Sequence, residues 1–186
     1  MTSKVWVFLR AVLFFIQLFG SVLYWAGMSH PNYGIRVGEY GQTFLYGLFE
    51  TCHGYPQQYL FPITCKRYDH PEPYLETSVA LYGVWILFNS LILLMLLCSP
   101  CIRIRKGNEN KVFTYNIVMS MLSVFANVFL WSSYLYFSYK LKAFHSSSLR
   151  LGSAFATATS GVAFMTAFYL FVVVFPMIAR RMDEFD

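Results

Sequence analysis

Residues Thr77–Cys98 read TSVALYGVWILFNSLILLMLLC, a run without a single Asp, Glu, Lys or Arg. A helix needs about 20 apolar residues to cross a hydrocarbon core of roughly 30 Å, and this stretch meets that length. Such a helix has no polar face to offer water. Working outward, three more runs share its character: Val5–Gly27, Val112–Tyr139 and Leu151–Ala179. Four transmembrane helices are therefore expected, joined by loops 28–76, 99–111 and 140–150. The third run would measure about 42 Å at 1.5 Å per residue. It should tilt or project beyond the bilayer at the end where Tyr134, Tyr136 and Tyr139 gather.

Composition supports a membrane chain of one domain. Its 186 residues are 57% hydrophobic and only 12% charged, whereas soluble domains carry about 25% charged residues. The net charge of +5 comes from residues that flank apolar runs rather than from a continuous basic patch, so nucleic acid is not expected as a partner. The first run could pass for a signal peptide, but Tyr24 and Trp25 stand where a cleavage site needs small residues. It is read as a helix, with Arg10 snorkelling to the headgroups.

Orientation follows from positive charge. Loop 99–111 holds Arg103, Arg105, Lys106 and Lys111 against Glu109 alone, while Lys4 precedes the first run and Arg180 and Arg181 end the fourth. The positive-inside rule places that loop and both termini in the cytoplasm. Lys140, Lys142 and Arg150 then lie outside, against the rule. Inverting the chain would instead put Cys52 and Cys65 of loop 28–76 in a reducing compartment. Outside the cell a disulfide fits that pair, two free thiols being the alternative. Cys98 and Cys101, at the inner end of the second run, are palmitoylation candidates or unmodified small apolar residues. One CxxC without a second pair is a weak metal signal.

Loop 28–76 carries the most specific sequence. Leu45, Gly47, Phe49 and Thr51 alternate with Tyr46, Leu48 and Glu50, the period of a strand. Turn residues His53-Gly54-Tyr55-Pro56 follow, and Tyr59–Thr64 is aromatic enough to return as a second strand. Gly47-Leu48-Phe49 followed by Cys52, then Cys65-Lys66-Arg67-Tyr68-Asp69, resembles the claudin signature of Gly-Leu-Trp, Cys, a hairpin and a second Cys. The plan of four spans with a long first and short second outer loop is also similar to claudins, peripheral-myelin-type tetraspans and calcium-channel gamma subunits. Departures are Phe49 in place of Trp, a wider cysteine spacing, Glu76 and Thr77 where claudins place an Arg, and Asp186 where many end in an apolar residue that a PDZ domain captures.

The resemblance implies an all-α membrane bundle of four transmembrane helices with a small extracellular antiparallel β-sheet, Leu48 and Phe49 tucking into the top of the bundle. It implies a plasma-membrane protein at cell–cell junctions, forming or regulating a paracellular barrier or ion path through outer-loop contacts. Its partners would be itself or related chains in cis and in trans. A second implication is an auxiliary subunit of an ion channel or receptor, and a third a peripheral-myelin-type adhesion or membrane-organising protein. In claudins the residue after the second loop cysteine influences charge selectivity, and Lys66 holds that position here. Loop 28–76 nevertheless has a net charge of −2, while Lys140, Lys142 and Arg150 make the second loop basic.

Other residues point to packing. Asn89 and Asn127 sit mid-span and are expected to form interhelical hydrogen bonds. Ser153, Thr157 and Gly161 recur every four residues, the spacing of a close helix–helix face. His30, His53, His70 and His145 fall in the outer loops without ligand spacing, so neither metal nor cofactor is expected. With no acid inside a span and no catalytic set, enzyme activity is not expected either.

Overall fold

The computed structural model describes residues 3–38, 41–54, 63–69, 71–98, 109–145 and 149–183. The chain runs α1 (Ser3–Ser29), β1 (Gly34–Val37), β2 (Thr43–Tyr46), β3 (Glu50–Gly54) and β4 (Thr64–Arg67). It continues with α2 (Pro73–Cys98), α3 (Glu109–His145), β5 (Leu149–Leu151) and α4 (Ser153–Asp183). All four helices are long and apolar enough to cross a membrane, and the chain is a multi-pass membrane protein.

Several boundaries differ from expectation for local physical reasons. α2 starts at Pro73 rather than Thr77, because proline suits the first helical position and Glu76 complements the positive helix end. α3 does not stop at Tyr139. Leu141 is fully buried and extends the apolar face, so the expected loop 140–150 is largely helix and strand. Lys140, Lys142 and His145 all lie on α3. Leu151 belongs to β5, and α4 opens at Ser153. Its start is tied from outside the helix: Ala154 N–H donates to the Asn32 carbonyl at 3.2 Å, and, just before the helix, Gly152 N–H donates to that of Tyr33 at 3.0 Å.

The five strands form one antiparallel sheet in the order β4-β3-β2-β1-β5. The expected continuous strand Leu45–Thr51 is in fact β2, a turn and β3. Alternation favoured one strand, but Gly47 N–H donates to the Glu50 carbonyl at 3.0 Å and turns the chain. Of the expected return strand Tyr59–Thr64, Thr64 opens β4, and 59–62 lie outside the described residues.

The helices pack chiefly as α1 with α4 and α2 with α3. At the first seam the backbones nearly touch. A methyl group on Gly27 would stand 2.3 Å from the Ala158 nitrogen, and one on Gly161 2.4 Å from the Tyr24 nitrogen. The close face of α4 is therefore Ala154, Ala158, Gly161 and Met165, all buried. Ser153 is exposed and Thr157 only half-buried, so the expected face is rotated and only Gly161 remains central. Ser153 serves otherwise, accepting from Asn32 Nδ2 at 2.9 Å.

Several polar groups in the bundle are joined between helices. Asn89 Oδ1 accepts from Gln17 Nε2 at 2.8 Å and from the Tyr169 hydroxyl at 3.2 Å. Asn89 Nδ2 donates to Ser21 Oγ at 2.9 Å, so one amide ties α1, α2 and α4. Asn127 Oδ1 accepts from Thr166 at 3.3 Å, linking α3 to α4. Nearer the sheet, Tyr24 stacks edge-on against Trp85, 4.7 Å between ring centres, and meets Ser133 Oγ at 2.6 Å.

Candidate functional site

The disulfide-closed sheet gathers the signature residues. Cys52 and Cys65 face each other across β3 and β4 and are joined by a disulfide. Cys52 is fully buried, whereas β4 is exposed along its whole length. The covalent link thus fixes an outlying edge strand that hydrophobic contact alone would hold poorly.

Gly47-Leu48-Phe49 forms the turn from β2 to β3. A methyl on Gly47 would lie 2.8 Å from Pro31 Cα and 2.9 Å from the His30 carbonyl oxygen, so only glycine allows this approach. Leu48 is 1% exposed and fills the top of the bundle. Phe49 is 37% exposed, contrary to expectation: it stays outside, its ring edge-on to Tyr82 at 6.1 Å. The Tyr68 hydroxyl donates to the Gly47 carbonyl at 3.0 Å, so the second half of the signature braces the first. Burial pushes the Tyr68 phenol well above its usual range.

Lys66 and Asp69 form an exposed ion pair. A cation so paired presents a smaller net field than its sequence position implied, and exposure keeps the pair weak. Register and alternation put Lys66, Thr51 and Tyr46 on one sheet face with His53, Phe44 and Arg36. Arg67, Glu50, the disulfide and Arg150 take the other. Tyr46 stacks on His145 with ring centres 3.9 Å apart, so His145 is a packing residue at the top of α3.

Some residues were missed in the sequence. Tyr33 is buried beneath the sheet and meets Ser138 Oγ at 2.6 Å. Gln17 is fully buried, and an amide inside an apolar run was the available signal. Nothing in the sequence singled out Asn32, whose carbonyl and side chain both meet the start of α4. At the far end of α2, Cys98 is an exposed free thiol, while Cys101 and His70 lie outside the described residues. No group of His, Cys, Asp and Glu suited to a metal occurs among the described residues. No protein-family model and no curated protein matches this chain.

Proposed function

We propose that the chain is a claudin-like junctional protein of the plasma membrane, whose sheet faces the intercellular space while both termini lie in the cytoplasm. The observation that carries this reading is a disulfide-tied sheet whose turn residue Leu48 roots it in the bundle while β4 stands free. Both inter-helix segments on that side contribute strands, so the sheet offers one rigid surface to copies of itself, beside it and opposite it. The disulfide supports placing this end in an oxidising compartment.

The Lys66–Asp69 pair bears on selectivity. With the cation neutralised locally, a path lined by this face acts as a barrier with at most a mild anion preference. Replacing Lys66 with Asp leaves two carboxylates there and raises cation over anion permeability. An unchanged permeability ratio across an epithelial layer would remove Lys66 from the path.

Expression in cells that lack junction strands tests the main reading. Enrichment at cell–cell contacts, with strands visible by freeze-fracture microscopy, is the expected result. Diffuse surface expression with a co-purifying channel would replace it with the auxiliary-subunit reading.

A further inference from the structure

Where the sheet meets α2 there is an open groove of about 570 Å³, a size suited to a small-molecule ligand. Leu48 and Leu75, both buried, form its base. Phe49 and Val79, each 37% exposed, form its walls. Two opposite charges, Arg67 from β4 and Glu76 from the first turn of α2, also line it. Among the described residues neither joins an ion pair, although Glu50 stands opposite Arg67 in the sheet register.

We propose that this groove seats a zwitterionic phospholipid from the surrounding bilayer. Position is the first argument. α2 is a membrane-length helix beginning at Pro73, so its first two turns lie at headgroup depth. Glu76, Val79 and Ala80 share one exposed helix face, leading from a polar residue to the apolar surface an acyl chain would follow.

Charge is the second argument. A guanidinium binds phosphate oxygens through paired N–H donors, and a carboxylate one strand–helix gap away suits a choline or ethanolamine cation. A purely apolar occupant would strip water from both charges without replacing it. An anionic headgroup would satisfy Arg67 but confront Glu76. The combination selects a headgroup carrying both signs.

Native mass spectrometry of the full chain, released from detergent after addition of phosphatidylcholine or phosphatidylglycerol with matched acyl chains, tests this. The wild type should retain phosphatidylcholine over phosphatidylglycerol. Arg67→Glu should reduce that retention about tenfold, the scale of one charge-assisted contact, and adding Glu76→Arg should restore it. Val79→Trp, which fills the groove without changing charge, should abolish retention. An intact disulfide and an unshifted unfolding midpoint confirm that each variant is folded. Equal retention of both lipids, indifference to Arg67→Glu and Val79→Trp, or failure of the charge-swapped pair to rescue overturns the proposal. So does a groove shielded by a second copy, seen as a lipid-free dimer that Val79→Trp dissociates.

Discussion

The Leu48 backbone N–H donates to the Met28 carbonyl at 3.3 Å, fastening the β2–β3 turn to the last turn of α1. Met28 and Leu48 are both buried, so side-chain packing reinforces that tie. Leu48→Ala should cost about 2–4 kcal/mol, the range for a buried leucine whose site collapses only in part. Phe49→Ala, at a half-exposed position, should cost less than about 1.5 kcal/mol. Thermal unfolding of the purified chain in detergent separates the two; equal losses would mean that Phe49 anchors the turn as well.

Glycines at the α1–α4 seam are sites of backbone approach. Gly161→Ala should destabilise by about 1–3 kcal/mol through overpacking, since its methyl would meet the Tyr24 backbone. Gly83→Ala in α2, where a methyl meets nothing within 4 Å, should be neutral or slightly stabilising, because alanine is the better helix former. Unfolding midpoints of the two variants, measured side by side, show a fall at Gly161 and none at Gly83 if the seam is as close as described.

Asn89→Leu removes the acceptor of Gln17 and Tyr169 and the donor to Ser21. Interhelical hydrogen bonds in membranes average about 0.6 kcal/mol each, so a loss of roughly 1–2 kcal/mol is expected. Asn127→Leu, with a single long contact to Thr166, should cost about a third as much. A larger loss at Asn127 would show that the α3–α4 link dominates.

Alkaline pH should loosen the sheet. Burial raises the Tyr33, Tyr46 and Tyr68 phenols above the ordinary value near 10. A folded state that holds its proton more tightly than the unfolded chain keeps this stability below about pH 10 and loses it as pH rises further. The unfolding midpoint should stay level up to about pH 9.5 and fall beyond it, less steeply in Tyr68→Phe than in the wild type. Identical slopes would mean that Tyr68 ionises as freely when folded as when unfolded.

Sequence periodicity located the helices because membrane length and apolar composition leave few alternatives for Thr77–Cys98. It was poorer at their ends. The continuation of α3 to His145 depends on Leu141 packing beneath Gly34, a contact between residues distant in sequence. β5 is too short to carry a pattern and exists because β1 offers it a partner. At the site, the cysteine pair was legible from compartment and resemblance, but the opposite fates of Leu48 and Phe49 were not. Adjacent apolar residues in a turn look alike until the bundle beneath selects one. The Lys66–Asp69 pairing is within reach of sequence, since residues three apart in a bend can meet.

β1 leaves the top of α1, and β5 leads into the top of α4, so the β1–β5 ladder and the α1–α4 seam share their ends. Tension applied to the sheet therefore loads those hydrogen bonds along their strands, in shear, where all must yield together. A neighbour pulling on β4 loads α2 directly, through the short segment that joins Arg67 to Pro73, and reaches α1 and α4 through the Cys52–Cys65 crosslink and the successive ladders. The outer sheet is in mechanical terms a strap fastened at both edges, by β4 to α2 and by the β1–β5 ladder to α1 and α4, so a pull on the gripped edge is shared between a covalent anchor and a sheared ladder.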